Sequence, residues 1–183
     1  MAWQIDNSHS SIGFSVKHMM ISTARGVFER FSGTVEADEA NPTAAKVDVQ
    51  IETASVNTRD EKRDGHLRSP DFFNSDEFPY MTFVSKRVEQ TDESTGKLIG
   101  DLTIRDVTRE VALDFEYSGM AKSPWGTTSA GFSAETKINR KDWNLTWNVG
   151  LETGGLLVGE EVKILIELEL VKVVEQPEVV AAA

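Results

Sequence analysis

The three histidines, His9, His18 and His66, are the side chains best suited to metal or general-base chemistry. His9 and His18 stand nine positions apart along a probable-strand pattern and its lead-in, too far to share one ion unless the chain doubles back, and neither HxH nor HExxH occurs. The alternative is that each histidine satisfies buried backbone groups at the end of a β-structure. His9 and Ser10, a base beside a hydroxyl, are adjacent and so point to opposite faces of a strand, which makes a poor dyad. The GxSxG elbow, the Walker loop and the dinucleotide fingerprint are all missing. The expectation is therefore no metal, no cofactor and no enzyme. Arg63, Asp64 and His66 have the chemistry to hold a phosphate or to pin a short helix through paired charges, and pinning is the favoured reading. His18 and Arg25, flanking a first hairpin, offer similar anion-binding chemistry.

Composition narrows the field. There is no cysteine, which removes disulfides, thiolate chemistry and cysteine-ligated metals. Thirty acidic against nineteen basic residues give a net charge of -11, a field that repels phosphate backbones and anionic membrane surfaces and makes nucleic acid an unexpected partner. No run approaches the roughly 18 apolar residues of a membrane-spanning helix. The start, Met1-Ala2-Trp3-Gln4-Ile5-Asp6, has neither the basic nor the apolar region of a secretory signal, so the expected location is cytoplasmic.

The elements that must position these groups are strands. Ile12, Phe14 and Val16 alternate with Ser11, Gly13, Ser15 and Lys17. A long β-prone run covers Gly26 to Ala37, with a bend expected at Gly33 and a turn at Asn41-Pro42. Alternation returns at Val47, Val49 and Ile51, at Met81 and Phe83, at Leu98, Leu102 and Ile104, and at Val111, Leu113, Phe115 and Tyr117. Hairpins are expected at Thr95-Gly96 and Ser118-Gly119, and a strand from Thr127 to Ile138 after Ser123-Pro124-Trp125-Gly126. Val162 to Leu170 is the last strand, expected to close the sheet against the first. One short helix is expected from Arg59 to Leu67, stopped at Ser69-Pro70. The fold class is all-β: an extended antiparallel barrel of about eight strands, lipocalin-like, spanning 1–172, with a tail over 173–183. A β-sandwich gives the same alternation.

Several stretches, read in order, resemble the YceI-like family, also called the polyisoprenoid-binding family: WQIDNSHSSIGFSVKHMM from Trp3, RGVFERFSG from Arg25, Thr58 with RDGHLRSPDFF from Arg63, Phe78-Pro79, GDLTI from Gly100 with Val107-Thr108, INRKDW from Ile138, and VGEEVKI from Val158. Departures are Asp106 where the family usually has Gly, Glu110 where it has Pro, and Asn144 where it has Gly. The resemblance implies a barrel with a helical insertion around an elongated apolar tunnel that binds, stores or transports a polyisoprenoid or similar long-chain amphiphile. It also implies members that are often homodimers. An enzyme acting on an isoprenoid or quinone-type amphiphile in the same barrel, and a partner-binding barrel without ligand, are the alternatives. Strand phase assigns the tunnel lining to Phe14, Val16, Phe31, Val35, Val49, Ile51, Leu113, Phe115, Phe132, Ile164 and Ile166. His18, Arg25, Arg63 and His66 are the headgroup candidates.

Overall fold

A computed structural model describes residues 1–174. The alternating segments become eleven strands: β1 (Ala2–Ile5), β2 (Ser11–His18), β3 (Ser22–Phe28), β4 (Phe31–Glu36), β5 (Lys46–Glu52), β6 (Val56–Asn57), β7 (Tyr80–Gln90), β8 (Thr95–Ile104), β9 (Val107–Lys122), β10 (Thr128–Asn139) and β11 (Val158–Lys172). Every pairing is antiparallel, in the order β1-β4-β5-β7-β8-β9-β10-β11-β2-β3-β6, and β11 also pairs with β1. The first six segments are three long strands, each broken once, so the sheet is a closed up-and-down barrel of eight strands. Closure pairs the long strands on both sides; among the described residues the two-residue β6 pairs on one side, with β3, and lies against the helix that follows it.

The three breaks lie side by side and are stitched by polar side chains. Asp6 caps the 3-10 turn Asn7–His9, accepting from Ser8 N–H at 2.9 Å, and the Asn7 amide donates to Phe31 O at 2.7 Å. Ser55, in the turn that separates β5 from β6, accepts from Arg30 N–H at 3.0 Å and donates to Glu52 O at 2.7 Å. The chain therefore bends at Glu29-Arg30, not at Gly33. Gly33 lies within β4, where a β-carbon would come within 2.7 Å of Asp48 O, so the residue is small because the neighbouring strand leaves no room.

Two expected hairpins also move. Thr95 and Gly96 already belong to β8, and Asp92 makes the turn before them by accepting from Ser94 and Thr95 N–H at 2.9 and 2.8 Å. Ser118 and Gly119 lie inside β9, where Gly131 faces Gly119 and Phe132 faces Tyr117, so Ser118 is the extra residue of a bulge. The hairpin comes at Ser123–Thr127 instead. The helix α1 (Glu61–Arg68) begins two residues later than expected because Arg59 is left-handed (φ 64°) and Asp60 takes the cap, accepting from Lys62 and Arg63 N–H. Asn144 adopts the left-handed conformation (φ 60°), whereas in the β8–β9 turn Arg105 does so in place of Asp106.

Val173 follows β11 and donates to Ala2 O at 3.0 Å. The rest of the expected tail, 175–183, lies outside the described residues. Among the described residues no helix is long and apolar enough to cross a membrane.

Candidate functional site

The inward phase of all eight strands encloses a continuous cavity of about 1070 Å³. Its walls differ in packing. Val35, Val49, Ile51, Met81, Phe83 and Leu113 are buried among neighbours, whereas Phe14, Val16, Phe115, Phe132, Ala134, Ile164 and Ile166, equally inside the barrel, are only half-buried. Inward apolar groups that remain accessible border a void that their own side chains do not fill.

Two phenylalanines keep that void open by lying flat on glycines across the sheet. A β-carbon on Gly26 would sit 2.5 Å from the Phe14 ring, and one on Gly96 would sit 2.9 Å from the ring of Phe115. Phe14 pairs with Gly26 and Phe115 with Gly96 in register, so each ring is accommodated in the wall by its partner's missing side chain.

The structure brings ten of the eleven sequence-assigned lining residues to the cavity: Phe14, Val16, Val35, Val49, Ile51, Leu113, Phe115, Phe132, Ile164 and Ile166. Phe31 does not reach it. It sits beside the Glu29-Arg30 break and packs into the buried cluster with Phe28 and Ile51. Of the headgroup candidates, His18, Arg63 and His66 border the cavity. Arg25 does not, because its neighbours Gly26 and Phe28 take the inward phase of β3 and leave it on the exposed outer face.

The two ends of the cavity carry opposite charge. At the helix end the lining includes Lys17, Lys62, Arg63 and Arg140 with His18 and His66, against Asp60 as the acid. At the far end it includes Asp38, Glu39 and Glu93 and, among the described residues, no cationic side chain. Thr58 ties helix α1 to the first of these ends. Its N–H and hydroxyl donate to the buried Asp64 carboxylate at 2.8 and 2.6 Å, while Arg63 Nε and Nη2 donate to its hydroxyl and carbonyl, both at 2.8 Å. The helix is thus pinned, but by both side chains converging on Thr58 and not by charge pairing between them.

His66 donates or accepts at 2.8 Å with Asp71 and stands edge-on to Trp147 and Phe72, with ring centroids 4.5 and 5.1 Å away. Arg140 is 4% exposed and forms no ion pair among the described residues. Its guanidinium donates to four carbonyls: Gly159 O at 2.8 Å, Leu145 O at 2.6 Å, Trp147 O at 2.9 Å and Val158 O at 3.3 Å. Burial pushes its pKa down, partly opposed by Glu160. This one side chain ties the irregular segment after β10 to the start of β11 and so shapes the helix-end mouth.

His9 does not line the cavity. Its Nδ1 lies 2.9 Å from Asp6 Oδ2 and 3.9 Å from Glu169 Oε2 on the outer wall, and these three are the group of metal-ligating side chains whose donor atoms gather within 4.8 Å among the described residues. His9 and Asp6 are hydrogen-bonded to each other, with Glu169 beside them. Hydrogen bonds from Ser8 and His9 hold the Asp6 carboxyl down at about 2, and the bond to Asp6 raises His9. His9 and His66 therefore meet carboxylates, not the buried backbone groups expected of them.

Sequence reasoning missed Arg140, although it stands within the INRKDW stretch; a lone arginine in a charged segment gives no sign that it is buried. It also left out Met81, Phe83, Leu98, Leu102 and Ile104, which line the cavity and whose alternation was legible.

A model of the YceI-like domain matches residues 3–170. A UPF0312 protein of Staphylococcus aureus is 40% identical over 159 residues, which is 86% of this chain and 90% of its own length. The solved YceI protein of Campylobacter jejuni is 36% identical and superposes with a TM-score of 0.73 over 86% of this chain and 90% of its own. A polyisoprenoid binding domain from Saccharophagus degradans shares the fold at 14% identity, with a TM-score of 0.66 over 92% of this chain and 97% of its own.

Proposed function

The chain belongs to the YceI-like family, and from that premise we propose that it is a binding protein whose tunnel stores or carries a polyisoprenoid or similar long-chain amphiphile. The observation that carries this reading is the unfilled apolar cavity of about 1070 Å³ running between the two ends of the barrel. At about 30 Å³ per water-sized group, it has room for on the order of 30 carbons. Each buried carbon contributes about 0.8 kcal/mol gross, so four isoprene units already give roughly 16 kcal/mol. Micromolar affinity corresponds to about 8 kcal/mol, which leaves a comparable amount to offset the ordering of the chain. No specific polar contact is required for binding.

The headgroup goes to the helix end, where Arg63, His66 and His18 meet the cavity. Binding is favoured over catalysis because the half-buried wall in mid-tunnel is aliphatic and aromatic, with no acid or base facing the chain. Extraction of the protein purified from its own host, followed by mass spectrometry, tests this: a prenyl chain at near-stoichiometric amount is expected. Recovery of no lipid, together with no rise in melting temperature on adding prenyl alcohols or prenyl phosphates, would overturn it.

A further inference from the structure

We propose that the helix end of the barrel docks on anionic lipid bilayers, with the β2–β3 turn as the inserted tip. The turn is tight, with Ile21 N–H donating to His18 O at 3.2 Å, and its two central residues, Met19 and Met20, are both left-handed (φ 52° and 66°). Turns of this hand favour Asn-Gly, since a β-carbon is strained there. Two methionines are thus the wrong residues for the turn, and they do not serve the core either: Met19, Met20 and Ile21 are 43%, 65% and 84% exposed. The neighbouring loop adds exposed Val149 and Leu156 to the same patch, joined to it by Met19 N–H donating to Leu157 O at 2.8 Å and by Met20 packing on Gly155.

Charge identifies the occupant. The tip adjoins the cationic mouth through His18 and Leu157, which both line the tunnel, and Lys17 flanks it with its ammonium 3.4 Å from Thr23 Oγ1. Lys62 and Arg63 stand on α1 beside Glu61, which pairs with Arg68; Asp60 caps that helix, Asp64 is buried on Thr58, Glu160 pairs with Lys141, and Glu152 is the acid of the loop. The acids of the far mouth, Asp38, Glu39 and Glu93, lie at the other end of a barrel spanned by the fifteen residues of β11, roughly 50 Å of strand, several times the screening length of about 8 Å. The overall charge of -11 therefore orients the molecule instead of keeping it off an anionic surface. Docking takes its purpose from the lipid reading, since it sets the mouth against the source of the ligand, but it can be measured whether or not the tunnel is filled.

The test is flotation of the whole protein with vesicles of phosphatidylcholine alone or with about equal parts of phosphatidylglycerol. The wild type is expected to bind the anionic vesicles at least about tenfold more tightly. The double variant Met20→Asp/Ile21→Asp, which keeps the turn because Asp tolerates left-handed backbone, is expected to lose about tenfold or more. Trp125→Asp, at an 88% exposed site on the opposite end, is expected to bind as wild type. Lys62→Glu supplies a second reading at the same end, also weakening anionic binding. Absence of wild-type binding, indifference to the tip substitutions, or an equal loss in Trp125→Asp would overturn the proposal.

Discussion

Ala134 offers a way to separate a tunnel from a packed core. It faces Phe115 across β9 and Ile166 across β11, at the middle of the half-buried wall. In a filled interior Ala134→Phe would overpack, costing about 1–3 kcal/mol. Here the ring enters empty space, so stability should change by less than about 1 kcal/mol, or about 2–4 °C for a chain of this size. The ring occupies the room of about six ligand carbons, roughly 5 kcal/mol of gross burial, enough to lower affinity by about three orders of magnitude. The assay is thermal unfolding with and without a prenyl lipid. A ligand at a hundred times its dissociation constant stabilises by about 2.7 kcal/mol, which predicts a rise of about 5–10 °C in the wild type. In the variant the rise should vanish while the ligand-free midpoint holds. A variant that is destabilised by overpacking yet retains the full lipid response would refute the assignment of this wall to the ligand.

Other expectations concern the ends and the outer wall. Arg140→Met removes the guanidinium from Leu145 O, Trp147 O and Gly159 O, while Val158 O keeps the Asn148 amide, and should cost about 3–5 kcal/mol by denaturant unfolding. Asp64→Ala frees Thr58 and one side of α1, costing about 2–3 kcal/mol, and should speed exchange of a fluorescent prenyl probe through the helix-end mouth. Arg63→Ala should weaken binding of prenyl phosphates more than of uncharged prenols, a comparison that fails if the headgroup lies at the acidic end. Asp6 is held below its ordinary value, so its stabilising effect is full above about pH 4 and fades as pH falls to about 2; Asp6→Asn should flatten that limb of a melting-temperature profile. The same substitution should lower the NMR titration midpoint of His9, whose stabilising effect is present below its ordinary value and is lost as pH rises through the raised one.

Most of the barrel was legible because a strand with one buried face repeats every two residues, and β2, β5, β9 and β11 carry that period cleanly. Ten lining residues followed from the same phase. Arg25 failed where phase was set aside for nearness to the hairpin: counting from Phe28 places it outside. Phe31 had the right phase, but phase says nothing of where along the axis the void narrows. The bend assigned to Gly33 shows a different limit. Glycine marks either freedom of the backbone or want of space, and only the position of Asp48 O decides between them. Arg140 was illegible because its partners are backbone carbonyls, which every residue possesses and no sequence pattern records.

The pairing of Phe14 with Gly26 and of Phe115 with Gly96 makes tunnel width depend on positions with no side chain to offer a ligand. Substituting Gly26 by alanine would push the Phe14 ring off the wall and toward the bore, narrowing it without altering any residue in the lining that bears a side chain, whereas at Gly96 the new methyl would meet Glu89 O at 2.6 Å and strain the sheet itself. The bore can thus be retuned one methyl group at a time from behind its own panelling, and relatives with the same inward aromatics could accept ligands of different girth according to what stands opposite those rings.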